Sequence, residues 1–435
     1  MSNYRNIVAI ALAVLMVLSV YSLISGAAKK ESQVNALILE AQQYHSEGLL
    51  GKAETAYAEA IKLGKSIELY NSVSDMYFEN GDYDNSIIWA EEASSQYPAR
   101  TDGYLRMIRG YAQKESYKNA FRTIDEYDGR GLHDEEIEAY RESMKAKYYM
   151  SIFSVDDITE ESNGFVGYCR DELWGLATAK GSGVTQNVYA KISAMGDGAV
   201  SVCDTDGTWY LADTTGKLLK NLNVSIGGNI EDVGTYMNGL FPVKKNGSWS
   251  YYDAEMAERF GGFSDAGSFS ENVASVQKGG KWYLINTNGE TISDGYDVIL
   301  RDTRGVSYSQ GIAIAKNGSQ IVLLNGEGKV KEKTSFEDAK LPVSGELFAF
   351  KKGGKWGFAN LDGKVVIEAQ YEDAHSFSNG FAAVCTNGLW GYIDEKNVMC
   401  IDAQFTTCRD FNSYGVGFAI CDGTWRTMVL YSKNF

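Results

Sequence analysis

The sequence predicts an α-helical solenoid followed by an all-β domain of about eight short units, most simply a β-propeller. Two recurring patterns predict this fold class. A helical pattern returns at offsets of 33 and 34 residues, and later in the chain a hairpin marked by tryptophan returns at steps of 33 to 40 residues. Because periods of 20–50 residues are typical of repeat proteins, we divide the chain into residues 1–30, 31–150 and 151–435.

The first segment contains Ile7 to Ser25, which is 19 residues without a charge. A helix of this length can cross the roughly 30 Å apolar layer of a membrane. We therefore predict a single-pass membrane protein. The bulk of the chain would be extracytoplasmic, because a short N-terminal tail usually stays in the cytoplasm. Ser25-Gly26-Ala27 also resembles the small-residue site of a cleaved signal peptide, which is the alternative.

The second segment carries one helical pattern three times. Small residues recur where two antiparallel helices would touch, larger ones fill the space between them, and glycine stands at the turn of the first two copies. The aligned positions are Leu37, Ala41, Tyr44, Gly48, Ala53, Tyr57 and Ala60, then Tyr70, Ser74, Tyr77, Gly81, Ser86, Ala90 and Ala93, then Tyr104, Ile108, Tyr111, Glu115, Ala120, Ile124 and Tyr127. This spacing resembles the tetratricopeptide repeat.

The resemblance implies a binding groove, because the first helices of such repeats line a concave face that holds a peptide or protein segment. Tyr70, Tyr77, Tyr104 and Tyr111 lie on these helices and are the candidate groove residues, although we expect most of them to pack. His133 to Met150 is predicted to form a helix that caps the stack.

The all-β prediction rests on one clear copy of the unit. Phe381 to Val384 is a short β-type run, Asn387-Gly388 is a hairpin turn of type I′, and Leu389 to Ile393 runs back. A third strand is predicted at Lys364 to Ile367 and a weaker fourth at Tyr371 to Ala374. About 35 residues with four short antiparallel strands is the size of a propeller blade.

The same hairpin occurs eight times. Gln320 takes the expected place in one copy, and a tryptophan marks each of the others, at Trp174, Trp209, Trp249, Trp282, Trp356, Trp390 and Trp425. Lys355-Trp356-Gly357 and Leu389-Trp390-Gly391, each followed by an apolar strand and a polar turn, resemble the WG-repeat (KWG) family. The resemblance covers residues 151–435. We predict that the tryptophans pack between neighbouring units, with carbohydrate stacking as the alternative.

The two ends of the β-domain predict a closed ring. Ser151 to Asp157 aligns with the strand that normally follows a tryptophan hairpin, whereas the last copy, Cys421 to Phe435, lacks that strand. The N-terminal strand near Ser151 to Val155 is therefore expected to complete the last unit, which would remove the exposed edges of an open array.

The net charge and the positions of the reactive residues exclude several classes of function. The net charge is −16, with −9 in residues 31–150 and −10 in residues 151–435, which argues against a nucleic-acid partner because such binding depends on Lys and Arg. The histidines lie in no nucleophile motif, and Asp362, Asp373 and Asp394 belong to turns. Four cysteines at one repeat position are expected to be packed small residues rather than disulfides or zinc ligands: Cys169, Cys203, Cys385 and Cys421.

We therefore expect a noncatalytic, membrane-anchored protein-binding or scaffolding protein without cofactor or metal. A protein or peptide partner would bind the helical groove, the WG-repeat domain or both. The alternative is a receptor for a cell-envelope glycan or small ligand that uses the propeller face. An enzyme on the same scaffold is a minor third possibility, since a fold does not settle function.

Overall fold

A computed structural model describes residues 2–433, apart from the side chains of residues 2–15, 17, 18, 20–24 and 152. The chain forms two compact units that divide between Lys145 and Ala146. The first is α-helical and the second is a β-rich ring, which confirms the predicted order of an α domain followed by an all-β propeller-type domain.

The helices of the first unit pack as consecutive pairs joined by short turns. They are α1 (Ser2–Ser46), α2 (Leu50–Leu63), α3 (Ile67–Glu79), α4 (Tyr83–Gln96), α5 (Asp102–Gln113), α6 (Tyr117–Gly129) and α7 (Glu135–Met144). The small residues predicted at helix contacts are fully buried, including Ala41, Ala53, Ser74, Ser86 and Ala120. The predicted capping helix is shorter than expected, because the chain is already a β-strand at Tyr148.

Most side chains of the predicted membrane segment, Ile7 to Ser25, lie outside the described residues. Within the described part of the chain, no helix combines the length and the apolar character that crossing a membrane requires.

The three helix pairs turn through the same backbone conformation. Gly48 and Gly81 have φ angles of 74° and 76°, and Glu115, which stands at the equivalent position of the third pair, has a φ of 53°. This left-handed region is readily open to glycine and strained for a residue with a Cβ. The third copy therefore keeps the turn geometry although it lacks the turn glycine.

Glu115→Gly is expected to stabilise the helical unit by about 0.5–1 kcal/mol, because it removes the strain of a left-handed glutamate. The converse control is Gly81→Ala, which should destabilise by a similar amount, since nothing lies within 4 Å of the added Cβ and only the backbone is affected. Urea unfolding followed by circular dichroism measures both. A loss of stability in the glycine variant would contradict the strain account.

The strands of the second unit are short and antiparallel. They are β1 (Tyr148–Val155), β2 (Asp157–Ile158), β3 (Phe165–Arg170), β4 (Leu173–Thr178), β5 (Tyr189–Ile192), β6 (Ala199–Asp204), β7 (Trp209–Asp213), β8 (Leu218–Asn221), β9 (Ile230–Val233), β10 (Leu240–Lys245), β11 (Ser248–Asp253), β12 (Glu258–Phe263), β13 (Asp265–Ala266), β14 (Val273–Lys278), β15 (Lys281–Asn286), β16 (Val298–Ile299), β17 (Tyr308–Ser309), β18 (Ile312–Asn317), β19 (Gln320–Leu324), β20 (Val330–Lys333), β21 (Asp338–Ala339), β22 (Leu347–Lys352), β23 (Lys355–Asn360), β24 (Val365–Tyr371), β25 (Asp373–Ala374), β26 (Phe381–Thr386), β27 (Leu389–Asp394), β28 (Met399–Phe405), β29 (Val416–Cys421) and β30 (Thr424–Leu430). A short helix, α8 (Leu222–Ile226), follows β8, and a 3₁₀ turn (Tyr431–Lys433) follows β30.

Within residues 146–433 these strands form seven sheets, one of which is a continuous seven-stranded sheet, β2–β8. Because only the Trp174–Tyr189 pair joins β4 to β5, we count this sheet as two blades and the domain as eight. Blades 1 to 7 are β2–β4, β5–β8, β9–β12, β13–β15, β16–β20, β21–β24 and β25–β28, and blade 8 is β29, β30 and β1. Blades 1 to 7 each have a short inner strand and a central hairpin, and most of them have an outer strand. Blade 8 has a hairpin and an outer strand, and an isolated bridge between Cys408 and Ala419 takes the place of its inner strand. The predicted fourth strand, Tyr371 to Ala374, does not end its own unit, because Asp373–Ala374 pairs with β26 as the inner strand of the next blade.

The ring closes as predicted. Strand β1 pairs antiparallel with β30, with Val155 opposite Trp425 and Tyr148 opposite Leu430. An apolar cluster then joins blade 8 to blade 1 and contains Val166 and Phe418. Similar clusters join each other pair of neighbouring blades, so apolar packing runs continuously around the ring.

Polar contacts between neighbouring blades supplement this packing. Ser378 Oγ and Asn379 Nδ2 of blade 7 both donate to the Phe411 carbonyl of blade 8, at 2.7 and 2.8 Å. In the same way Ser162 Oγ of blade 1 donates to the Met195 carbonyl of blade 2 at 2.7 Å. These contacts satisfy loop carbonyls that would otherwise be unpaired.

The glycine that follows tryptophan in the repeat is needed because the adjacent strand comes very close. A Cβ at Gly391 would lie 2.5 Å from the Ile401 carbonyl oxygen of the adjacent strand. In blade 3 this glycine is replaced by Ser250, and the facing residue is Gly261, whose Cβ would collide with the Ser250 hydroxyl. In these two blades the close approach therefore requires a glycine on one of the two strands. Blades 2 and 8 lack it on both strands, with Tyr210 opposite Asn221 and Arg426 opposite Ser154.

Candidate functional site

The strand register aligns an aspartate and a tryptophan across the inner part of five blades. In blade 4, Asp265 of the inner strand lies opposite Gln277, which lies opposite Trp282. Blades 1, 3, 6 and 7 have the same arrangement, with Asp157 and Trp174, Asp232 and Trp249, Asp338 and Trp356, and Asp373 and Trp390.

Each of these aspartates is held in one orientation by its own backbone. The Oδ1 atom accepts a hydrogen bond from the next residue's N–H, at 2.7 Å in Asp265 and at 2.8–3.0 Å in the other four. Because Oδ1 is fixed in this way, the carboxylate is oriented before any cation binds.

In blade 4 a cation occupies the site between the two groups. The Arg301 guanidinium donates to both oxygens of Asp265, at 3.1 and 2.9 Å, and lies 4.6 Å from the centre of the Trp282 ring. Its Cδ is 3.1 Å from where a Cβ of Gly267 would stand, so the arginine fills space that this glycine leaves open. The arrangement combines a bidentate ion pair with a cation–π contact.

Blades 6 and 7 satisfy their aspartates with lysines of neighbouring blades. Lys340 Nζ bonds Asp373 at 2.8 Å and lies 4.7 Å from the Trp356 ring centre. Lys316 Nζ bonds Asp338 at 2.7 Å. Both aspartates are thus neutralised within the chain.

A basic or imidazole side chain also lies beside the tryptophan of blades 2, 7 and 8. The distances are 5.7 Å for Lys191 and Trp209, 4.8 Å for His375 and Trp390, and 5.2 Å for Arg409 and Trp425. His375 Nδ1 also lies 2.9 Å from an Asp410 oxygen. Arg409 donates to the Ile158 carbonyl at 3.3 Å.

Blades 1 and 3 differ from the rest. Among the described residues, no cation lies over Trp174 or Trp249, and neither Asp157 nor Asp232 belongs to an ion pair. Both tryptophans are half-buried. The nearby Lys244 pairs with Glu231, at 3.6 Å, rather than with Asp232.

The aspartate and tryptophan of blade 1 and those of blade 3 line one central cavity of about 600 Å³. Its wall includes Asp157, Trp174, Asp232 and Trp249, together with the Arg301–Asp265 pair. A neighbouring cavity of about 390 Å³ is lined by residues of blades 5 to 8, including Lys340 and His375, and by Glu160 of blade 1. The inner face of the ring thus presents aromatic rings and charges of both signs.

A loop of blade 5 contacts blade 4 beside the larger, 600 Å³ cavity. The Gly305 carbonyl accepts from Ser268 N–H at 2.9 Å, and the Arg304 side chain bonds Asp302 at 2.7 Å. Burial, with the charge of Asp302 next in importance, raises the pKa of Glu160 above its usual range. Burial lowers the pKa of the Arg304 guanidinium. The negative charges of Asp302 and Glu160 together have the larger effect, so this pKa lies above its usual range.

Acidic residues before the inner strands have a structural role. Glu372 accepts from Gly388 N–H at 2.8 Å, and this bond holds the pKa of the carboxyl below its usual range. Glu337 accepts in the same way from Gly353 and Gly354. Asp394 accepts from two N–H groups of its own turn, which confirms its predicted turn role.

The seven tryptophans of the β unit lie on the second strand of their hairpins but differ in burial. Trp209, Trp356 and Trp425 are at most 7% exposed and pack in clusters between blades, whereas the other four are half-buried. Gln320 is not at the tryptophan position of blade 5: Ile321 lies opposite Lys316 and is buried, while Gln320 is exposed.

The cysteines are free thiols. Cys169, Cys203 and Cys385 share one repeat position as predicted, and each lies opposite a tryptophan. Cys421 was assigned to the same position, but in blade 8 Ile420 takes that place and Cys421 lies one residue further on. Burial raises the pKa of all four thiols.

The candidate groove tyrosines of the helical unit are mostly packed. Tyr70, Tyr77 and Tyr104 are at most 6% exposed, and the Tyr77 hydroxyl donates to Glu54 at 2.7 Å. Tyr111 is half-buried and lines a cavity of about 390 Å³ among α4, α5 and α6, with Arg122, Glu126 and Arg130 on its wall.

Comparison with known proteins supports the class of the β unit. Residues 262–282, 356–390 and 390–425 match a family described as WG containing repeat. All three matched stretches lie in the second unit, so WG repeats are supported there. No curated protein matches the chain in sequence.

Similar solved structures include BamB from Moraxella catarrhalis, with 13% identity and a TM-score of 0.40 over 65% of this chain and 93% of that chain. The C-terminal WD40 domain of Sif2 shares 11% identity, with a TM-score of 0.41 over 64% and 98%. A streptogramin B lyase shares 12%, with a TM-score of 0.36 over 66% and 99%.

Proposed function

We propose that this chain is a noncatalytic binding or scaffolding protein whose WG-repeat ring and helical unit each recognise a protein or peptide partner. The observation that carries the proposal is the central cavity of the ring. Its charged side chains come from separate blades, and most are already fixed in ion pairs or cation–π contacts, so the surface is organised before a partner arrives. Preorganised aromatic and charged groups of this kind are typical of recognition sites.

The experiment that tests the proposal is affinity capture with three chains. The full chain, residues 26–145 and residues 146–433 would each first be checked for cooperative unfolding and then used as bait, with captured proteins confirmed by direct titration. We expect a saturable partner for the full chain that at least one unit retains. If residues 146–433 bound that partner as tightly as the full chain, the helical groove would have no part in it.

A cell-envelope glycan or small ligand is the second candidate for the ring. The half-buried Trp174 and Trp249 favour it, because an open aromatic face beside a carboxylate also suits a sugar. Titration with oligosaccharides separates this candidate from a protein partner.

We further propose that the N-terminal apolar segment anchors the chain, with both folded units outside the cytoplasm. Protease added to intact cells is then expected to remove the WG-repeat unit and leave a short membrane-held stub, because a 19-residue apolar helix spans the bilayer. Immunoblots with tags at either end measure this, and a cytoplasmic protein serves as control. Full protection of the WG-repeat unit would contradict this orientation, and release of an intact chain that starts near Ala28 would favour a cleaved leader.

A further inference from the structure

We propose that the central cavity binds cationic side chains of a basic peptide segment, with one site at Trp249 and Asp232 and a second at Trp174 and Asp157. This inference rests on the proposed function and names the chemistry of its partner. The argument comes from a comparison of blades within the same ring.

Blade 4 shows what fits such a site. There Asp265, whose carboxylate accepts from the next N–H, and Trp282, two strands away, receive the Arg301 guanidinium, which pairs with the carboxylate and lies over the ring. In blade 6 two different lysines meet the two groups: Lys316 pairs with Asp338, and Lys340, which pairs with Asp373 of blade 7, lies 4.7 Å from the centre of the Trp356 ring.

Blades 1 and 3 have the same two groups without the cation. Asp157 and Asp232 hold the same hydrogen bond to the following N–H, at 2.8 and 3.0 Å. In blade 3 the inner strand has Gly234 where blade 6 has Lys340, so this position contributes no side chain over Trp249. The carboxylate and the ring therefore both remain open to the cavity.

The charges around the cavity favour an incoming cation. Arg301 is neutralised by Asp265, and Arg304 by Asp302. Arg409 is the remaining guanidinium on the wall, against Asp157, Asp232 and Glu160. The chain as a whole carries −16, so a basic segment would also be attracted from a distance.

The occupant is inferred to be a peptide rather than a free amine, because one cavity presents two such sites on separate blades. A segment with two basic residues can use both sites at once, and linked contacts strengthen each other. A single small cation could satisfy only one of them.

The test uses the full chain and a defined probe, the acetylated and amidated peptide Arg-Gly-Ser-Gly-Arg with a fluorescent label, at physiological salt. Its matched control has citrulline in place of both arginines, which keeps the shape and removes the charge. We expect the arginine peptide to bind at least tenfold more tightly. Equal binding of the two peptides would overturn the proposal.

Four protein variants locate the site. Asp232→Asn and Asp157→Asn should each weaken arginine-peptide binding by about tenfold, and Trp249→Ala by a similar factor, since each removes one partner of the cation. Asp422→Asn removes the same charge from an 86% exposed side chain elsewhere and should leave affinity within twofold. If Asp422→Asn weakened binding as much as Asp232→Asn, the effect would be general attraction to an acidic protein and the site would be refuted.

Three further outcomes separate this inference from its rivals and from the proposed function. The peptide assignment would be overturned if spermidine bound as tightly as the peptide. It would also be overturned if the peptide did not bind and an N-acetylglucosamine oligomer bound in a way that depends on Trp249. A captured protein partner whose affinity is unchanged in the Asp157→Asn/Asp232→Asn double variant would refute the cavity site and leave the binding function standing. Loss of that partner in the double variant, with an unchanged melting temperature, supports both.

Discussion

A chain that begins at Asp157 and so lacks β1 is expected to lose the cooperative unfolding of the β ring. Strand β1 is the outer strand of blade 8, and its removal exposes the edge of β30 together with the apolar side chains that Val155 and Tyr148 contact. We expect a loss on the order of 5 kcal/mol or more, since several large apolar side chains lose cover and the ring opens. An exposed edge strand also promotes aggregation.

The matched control begins at Ala146 and keeps β1. Differential scanning calorimetry of the two chains should show one sharp transition for the control and a broad or lowered transition for the shortened chain. If the chain from Asp157 lost only a local increment and kept a sharp transition, the blades would behave as an open array whose stability is a sum over neighbours, and closure would carry little of the stability.

Replacement of a buried tryptophan is the second large effect. Trp209 is 2% and Trp356 is 7% exposed, and each packs in a cluster between two blades. Trp209→Ala and Trp356→Ala should each destabilise the ring by about 3–5 kcal/mol, because a large aromatic side chain leaves a cavity that neighbours fill only in part.

Trp249→Ala is the control of identical chemistry. Trp249 is half-buried and faces the central cavity, so its loss should cost about 1–2 kcal/mol, well below the buried pair. Urea unfolding of the full chain followed by circular dichroism ranks the three variants. Equal losses at Trp209 and Trp249 would show that burial does not decide their contribution, and the assignment of Trp249 to recognition would weaken.

Sequence alone predicted the repeat architecture correctly because it depends on local signals. The Asn387-Gly388 turn has positive φ at both residues, 53° and 73°, as its type I′ prediction requires. The missing strand after the last hairpin and the spare strand near Ser151 together predicted closure, and β1 pairs with β30 accordingly. These features follow from the residues at the turns and from the number of strands, and both can be read from the sequence.

The repeat position of blade 5 was assigned to the wrong residue. Blade 5 turns through Asn317, Gly318, Ser319 and Gln320, and Asn317 pairs with Gln320 just as Lys352 pairs with Lys355 in blade 6, so the tryptophan position is Ile321. Because the steps between repeats vary from 33 to 40 residues, spacing alone does not separate Gln320 from Ile321. Pairing geometry rather than spacing decides this position.

The sequence by itself determined the α-then-β order, the repeat periods, the tryptophan positions and the partner strand that closes the ring, since each follows from local periodicity and turn residues. Only the tertiary structure decided which tryptophans are buried and which face the cavity. It also decided that Arg301 of blade 5 completes the site of blade 4, while the sites of blades 1 and 3 lack a cation. The physical reason is that these contacts join residues of different blades, and the curvature of the closed ring brings them together.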